Sequence, residues 1–130
     1  MRVCRSLGIT LFGIIFIFLM FPAFLWPAVV TVSPTHNALD VVRSTNISVT
    51  FDEDMNSSTI NANTFIIQGL QTGLRTGTYS YESGTMTATF APDSGFLVGE
   101  VVNATLTTGI ESASGSPLAQ SFVWSFTVEV

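Results

Sequence analysis

The sequence has few of the side chains on which most enzymes and metal proteins depend. Among 130 residues there is one cysteine, Cys4, and one histidine, His36. Cys4 precedes a long apolar run, so the chain that follows has no cysteine for a disulfide, a nucleophile or a zinc site. His36 lies in a polar turn with no serine and carboxylate beside it, which gives no basis for a triad. We therefore expect a solvated loop histidine and no catalytic residues.

Basic side chains are also scarce, and lysine is absent. The chain has four basic residues, all of them Arg, against nine acidic ones, for a net charge of −5. Arg2 and Arg5 precede the apolar run, which leaves the remainder with two basic and nine acidic residues, a net charge of −7. A surface of that sign repels phosphate backbones. We therefore expect no nucleic-acid partner.

The N-terminal segment, residues 1–28, predicts export. Arg2 and Arg5 stand before the uncharged apolar stretch 7–28, and a basic start before an apolar core directs the following chain outward. A cleavable signal peptide has an apolar core of about 7–15 residues, whereas a bilayer-spanning anchor needs about 20. Trp26 suits the headgroup level of an anchor. Both alternatives place residues 29–130 outside, either anchored to the membrane or secreted to the cell surface.

The remainder of the chain alternates apolar and polar residues with the period of two that a half-buried strand requires. Seven segments show it, of which the last three are short: 47–51, 86–90, 102–107, 122–128, 30–32, 64–67 and 78–81. Turn-forming clusters separate them, and no helical period intervenes. This pattern predicts an all-β fold, an Ig-like antiparallel β-sandwich of about seven strands behind an N-terminal hydrophobic helix. Trp124 is expected to be a core anchor of the last strand.

Several short motifs, in a fixed order, resemble a known family. They are Val32-Ser33-Pro34 with Asn37-Ala38, the stretch Ile47–Asn56 (ISVTFDEDMN), Ala88–Pro92 (ATFAP), Thr107–Ile110 (TTGI) with Pro117-Leu118, and Trp124–Thr127 (WSFT). From about residue 29 to residue 128 the chain resembles the bacterial Ig-like domain of the SbsA type, a module of S-layer and other cell-surface proteins. The resemblance implies a structural spacer or an adhesive module at the cell surface, without an activity of its own.

One acidic segment has the oxygen ligands of a cation site. Asp52, Asp54 and Asn56 alternate as the first three ligands of a calcium loop do. The helical calcium motif itself is absent, because Ser57 stands where glycine is needed and Asn63 where the closing glutamate belongs.

A second loop could complete such a site. In an Ig-type sandwich the loop after the second strand and the loop before the last strand lie at the same end. That would bring Glu53 and its neighbours near Glu111, Ser112 and Ser114. The hypothesis is a weak calcium site formed by Asp52, Asp54, Asn56 and Glu111. The alternative is a set of polar turns, with Met55 packed in the core.

Two classes of function follow. The first is a non-catalytic cell-surface or secreted module that acts in spacing, adhesion or self-association, with a cell-envelope or surface protein as its partner. The second is a module that binds calcium or polysaccharide at the acidic loop end. Sugar binding would need exposed aromatic rings, for which Tyr79, Tyr81 and Phe96 are the candidates, although core packing explains them equally well. No cofactor is expected unless calcium binds.

Overall fold

The structure is a computed structural model that describes residues 26–130. The hydrophobic helix predicted for residues 7–28 therefore lies almost entirely outside the described residues. Within residues 26–130, no helix is long and apolar enough to cross a bilayer.

Nine strands and one turn of 3-10 helix, Ser57–Thr59, make up the described chain. The strands are β1 (Val29–Ser33), β2 (Ala38–Val41), β3 (Ile47–Phe51), β4 (Phe65–Gly69), β5 (Gly73–Leu74), β6 (Gly77–Glu82), β7 (Thr87–Pro92), β8 (Val101–Leu106) and β9 (Phe122–Val128). They form a four-stranded sheet in the order β1-β3-β7-β6 and a five-stranded sheet in the order β2-β9-β8-β4-β5. The prediction of an all-β sandwich is confirmed.

The alternation in the sequence builds the core between the two sheets. In β3, Ile47, Val49 and Phe51 are buried, while the residues between them are half-buried. The same alternation holds in β8. Trp124 of β9 is buried, as predicted, and its Nε1 donates a 3.0 Å hydrogen bond to the carbonyl of Pro34. Burial of a large apolar side chain stabilises a fold by about 1.5–3 kcal/mol, so the buried residues of both sheets are its main source of stability.

Two strands were missed by the sequence analysis, and one strand pair is not antiparallel. β5 has only two residues, and β2 has a register shift between its pairs with β9. Asp40 within β2 has a φ of 57°, which interrupts the alternation. β2 pairs with β9 in parallel, Ala38 opposite Phe126 and Val41 opposite Val128. The sandwich is therefore mixed, with nine strands in place of about seven.

The inward face of β9 begins one alternation later than predicted. Phe122 is 37% exposed and packs against Trp124 with ring centroids 5.6 Å apart. It lines a surface depression with Pro27, Ala28 and Leu118, where the chain enters the fold. Likewise β7 begins at Thr87, because Met86 has a φ of 55° and belongs to the preceding turn.

The two ends of the sandwich carry different parts of the chain. Val29 of β1 pairs with Phe51 of β3, so the chain enters the fold at the end that holds residues 52–56. We call this the N-terminal end. At the opposite C-terminal end, the Val128 N–H donates to the Glu100 carbonyl and the Glu129 N–H donates to the Val41 carbonyl, each at 2.9 Å. The described chain thus enters and leaves at opposite ends.

Candidate functional site

The loop after β3 and the loop before β9 meet at the N-terminal end, as the sequence predicts. The Asn56 N–H donates to the Glu111 carbonyl and the Ala113 N–H donates to the Asp54 carbonyl, each at 2.9 Å. Met55 and Ser112 form an isolated antiparallel bridge between the two loops. Both of these residues are buried, so the contact between the loops is part of the packed structure.

Two of the predicted calcium ligands have their carboxylates engaged in hydrogen bonds. Asp52 Oδ1 accepts from the Ala28 N–H at 2.9 Å, which holds the chain as it enters β1. Asp54 Oδ1 accepts from the Met55 N–H at 3.1 Å and from the Tyr81 hydroxyl at 2.8 Å. Both carboxylates therefore act as local caps of backbone and side-chain donors.

The other two predicted ligands also serve the loop structure. Asn56 Oδ1 accepts from the N–H and the hydroxyl of Ser58, at 3.1 and 2.7 Å, and so caps the 3-10 turn. Glu111 takes part through its backbone, with its N–H donating to Thr59 Oγ1 at 3.0 Å. Within residues 26–130 no three His, Cys, Asp or Glu residues are grouped as a metal site would require. The calcium site stays a prediction.

Burial affects two polar groups at the N-terminal end, the hydroxyl of Tyr81 and the carboxylate of Glu53. Burial raises the pKa of the Tyr81 hydroxyl. The hydrogen bond from the Met55 N–H lowers this pKa, whereas the hydrogen bond to Asp54 and the negative charge of Asp54 raise it. The phenol therefore remains a hydrogen-bond donor at neutral pH. Oε2 of Glu53 is buried without a hydrogen-bond partner in the described part of the chain.

The most elaborate polar contact lies at the C-terminal end and was missed by the sequence analysis. Glu100 is fully buried, with an exposed fraction of 0%. Its Oε2 accepts from the Gln71 N–H at 3.1 Å, and from the N–H and hydroxyl of Thr72 at 2.8 and 2.7 Å. Its Oε1 accepts from the Leu97 N–H at 3.0 Å. One carboxylate therefore joins the β4–β5 turn to the loop before β8.

These bonds decide the charge of Glu100. Burial by itself raises the pKa of its carboxyl, but the donors from Thr72, Leu97 and Gln71 outweigh burial and leave the pKa below the ordinary value for Glu. Glu100 is therefore a buried carboxylate that stays ionised in the folded protein. The one signal in the sequence is a single acidic residue within the apolar run 96–102.

Both arginines of the described chain brace the loop between β7 and β8. Arg43 Nε donates to the Phe96 carbonyl at 2.7 Å. Arg75 Nη2 donates to the carbonyls of Ser94 and Gly95, at 2.6 and 3.1 Å, and its guanidinium lies 4.9 Å from the centre of the Phe96 ring. Both positive charges of the described chain thus bind carbonyl groups of the domain itself at the C-terminal end.

The three aromatic candidates for sugar binding do not form an exposed face. Phe96 is fully buried beneath Arg75, so it cannot stack on a ligand. Tyr79 and Tyr81 are half-buried and pack against the core. The Tyr79 hydroxyl donates to the Phe65 carbonyl at 2.8 Å, and burial raises its pKa. The suggestion of stacking on Phe96 is wrong, whereas polysaccharide binding itself stays a prediction.

His36 is exposed, in the loop between β1 and β2. Its Nδ1 accepts a 3.2 Å hydrogen bond from the Ser125 N–H. The ring thus helps to hold the β1–β2 loop against β9.

Comparison with solved structures finds the same fold in several bacterial proteins. Surface layer protein SbsC, domains 1–6, matches with a TM-score of 0.62 and 20% identity over 83% of this chain and 14% of that one. The LD transpeptidase LdtMt1, solved with imipenem, matches with a TM-score of 0.57 and 16% identity over 79% of this chain and 40% of that one. CopC from Methylosinus trichosporium OB3b matches with a TM-score of 0.56 and 18% identity over 79% of this chain and 93% of that one.

These identities establish the fold alone. The chain covers only 14 to 24% of the length of the SbsC structures that it matches. No curated protein sequence matches it. The model of one family, described as the bacterial Ig-like domain, matches residues 26–128, nearly all of the described chain. The protein therefore belongs to the bacterial Ig-like domain family.

Proposed function

We propose that this domain is a non-catalytic module of the bacterial cell surface, which acts by structural spacing and self-association. Membership of the bacterial Ig-like family and the fold shared with S-layer protein SbsC support a surface-exposed or exported module. Fold likeness by itself does not carry a function, so the proposal rests on how this chain is arranged.

The observation that carries the proposal is where the chain enters and leaves the domain. Domain termini often lie close together, but here the chain enters beside Phe51 and leaves beside Val41. β9 has seven residues, which at about 3.3 Å each span about 23 Å. Because the chain crosses the sandwich from one end to the other, the domain keeps the segment before it at a fixed distance from any molecule that contacts the C-terminal end. A spacer must do this.

The use of the polar side chains supports a role without chemistry. His36, Asp54, Glu100 and the two arginines of the described chain all hold loops in place. A catalytic group must instead face a substrate. These contacts stabilise the loops of the sandwich, as a rigid spacer requires.

The segment before the domain would set where it acts. If residues 7–28 remain as an anchor, the N-terminal end with its acidic loops lies next to the bilayer and the C-terminal end points away. Trp26, 51% exposed, then stands at the headgroup level. If the segment is cleaved, the same domain is released to the cell surface or the medium.

Surface labelling of whole cells tests this proposal. The full chain, with Cys4→Ser and a cysteine in place of the exposed Ser44, is expressed in an exporting bacterial host and treated with a membrane-impermeant maleimide. We expect labelling of intact cells or of the medium, and an intact mass that includes or lacks residues 1–28. Labelling that requires cell lysis would contradict a surface role. The matched control is the chain with Cys4 as its only cysteine.

A second candidate, a weak calcium site at the N-terminal end, is favoured by the unpartnered Oε2 of Glu53 beside the joined loops. Extracellular calcium modules bind with dissociation constants of about 0.1–1 mM. A 1 mM site would add about 1.4 kcal/mol to the unfolding free energy at 10 mM calcium. A rise in melting temperature with calcium, absent in Glu111→Gln, would support the site. An unchanged melting temperature would exclude it.

A further inference from the structure

Each sheet of the sandwich has two edge strands, and an edge exposes unpaired backbone groups to other chains. The edges are β1 and β6 in the four-stranded sheet, and β2 and β5 in the five-stranded sheet. Proteins usually protect such edges with very short strands, bulges, proline or charge. The four edges of this domain differ in that protection.

Three edges are protected. β1 has a register shift between Val29 and Thr31 and follows Pro27. β2 has a register shift and the irregular backbone of Asp40. β5 has only two residues. A second strand could not form a continuous ladder along any of them.

β6 has none of these protections. It runs for six residues, Gly77–Glu82, and pairs with β7 at every position without a register shift. It contains no proline and no lysine, and Glu82 is its only charged residue. Within residues 26–130 the backbone of β6 makes hydrogen bonds to β7 alone. In this part of the chain its outer row of N–H and C=O groups has no partner, so these groups can pair with a further strand.

β6 has exposed side chains on one face and a depression beside it. The outward-facing side chains of Thr78, Ser80 and Glu82 are exposed. A shallow depression lined by Ser57 and Ile60 follows the strand at Ser80.

We propose that β6 is the self-association edge of this domain, and that it pairs antiparallel with β6 of a second copy across a two-fold axis. The two four-stranded sheets then become one sheet of eight strands. This inference rests on the self-association part of the proposed function and names the surface that performs it.

The side chains of β6 favour one register. Residues opposite each other in a sheet share a face, so exposed residues must meet exposed residues. With Ser80 on the axis, Thr78 lies opposite Glu82 of the partner subunit, and Tyr79 lies opposite Tyr81 of the partner subunit. This register makes two cross-strand aromatic pairs, which stabilise a sheet. An axis at Tyr79 would make only one.

Charge makes a second copy a suitable occupant of this edge. The described chain carries nine acidic residues and two arginines, so most orientations of two copies bring like charges together. β6 meets its copy along threonine, serine and tyrosine. In the proposed register the two Glu82 α-carbons are offset by four residues, about 14 Å along the strand. That exceeds the Debye length of about 8 Å at physiological salt.

Disulfide trapping in the full chain, in the Cys4→Ser background, tests the register. Residues on the axis have α-carbons about 4.5 or 5.5 Å apart, and a disulfide accepts about 4.4–6.8 Å. Ser80→Cys is therefore expected to give a covalent dimer on mild oxidation. Thr78→Cys is the matched control on the same strand, because its two copies would lie about 14 Å apart.

We expect at least a tenfold excess of covalent dimer from Ser80→Cys over Thr78→Cys, and a mixed dimer when Thr78→Cys is oxidised with Glu82→Cys. Equal yields from the two single variants, or no dimer from Ser80→Cys, would overturn the proposal. Sedimentation of the unoxidised full chain separates the two claims. A dimer without Ser80 cross-linking refutes only this edge, whereas a monomer at every concentration refutes self-association as well.

Discussion

The carboxylate of Glu100 lies against the α-carbon of Gly69, in the space that any larger side chain at position 69 would occupy. A Cβ built on Gly69 overlaps Glu100 Oε2 and Thr72 Oγ1. The glycine is therefore required by a close approach, since only a residue without a side chain leaves room for the buried carboxylate. The β4–β5 turn and the loop before β8 are held together at this contact.

Gly69→Ala is expected to destabilise the domain by about 1–3 kcal/mol, the usual cost of overpacking a filled site. Gly84→Ala is the matched control, because its nearest neighbour would be 3.7 Å from the new Cβ. Urea denaturation of both variants measures the difference. Equal stability of the two variants would mean that the Glu100 contact is not tight.

Glu100→Gln is expected to lower the unfolding free energy by about 1.5–3 kcal/mol, the contribution of a hydrogen bond to a charged group. The amide keeps the size of the side chain but turns one acceptor into a donor that faces N–H groups. Glu82→Gln, on the exposed face of β6, should change stability by less than about 0.5 kcal/mol. Thermal and urea unfolding at pH 7 compare the two.

The same carboxylate gives a dependence on pH. The pKa of Glu100 is lower in the folded chain than its ordinary value of about 4.3. Its stabilisation is therefore complete above that value and is lost as pH falls through the folded-state pKa. The difference in stability between the wild type and Glu100→Gln should shrink between pH 6 and pH 3. A difference that stays constant over this range would contradict an ionised Glu100.

Tyr81→Phe is expected to loosen the loop after β3. The hydroxyl donates to Asp54 and accepts from the Met55 N–H at 2.8 Å, so its loss should cost about 0.5–1.5 kcal/mol. Tyr79→Phe is the control, because its hydroxyl bonds to β4 instead. Hydrogen exchange in residues 52–56 should rise in Tyr81→Phe alone. A similar rise in both variants would assign the effect to general destabilisation.

The sequence was sufficient for the elements in which burial alternates over five residues or more. β3, β8 and most of β9 follow from period two because one face of each meets the opposite sheet. β5 could not be predicted, because a strand of two residues shows no alternation. β2 could not be predicted either, because the positive φ of Asp40 interrupts its alternation. These short elements are defined by their neighbours.

The polar sites show the same division. That the loops around Asp54 and Glu111 meet follows from the order of strands in an Ig-like sandwich. The direction of each carboxylate does not, because the donors come from other parts of the chain: Tyr81 is 27 residues from Asp54, and Thr72 is 28 from Glu100. Such pairs become visible only in the folded chain.

Sedimentation velocity of the full chain, purified from the membrane or the medium of an exporting host, tests self-association most directly. Three proteins are compared over a hundredfold range of concentration: the wild type, Ser80→Lys and Thr78→Lys. Both variants add the same charge at an exposed position of β6. We expect the wild type and Thr78→Lys, whose lysine meets Glu82 of the partner subunit, to dimerise as concentration rises. Ser80→Lys places two lysines on the two-fold axis, so it should need an at least tenfold higher protein concentration to dimerise. If all three proteins stay monomeric over the whole range, the account is contradicted.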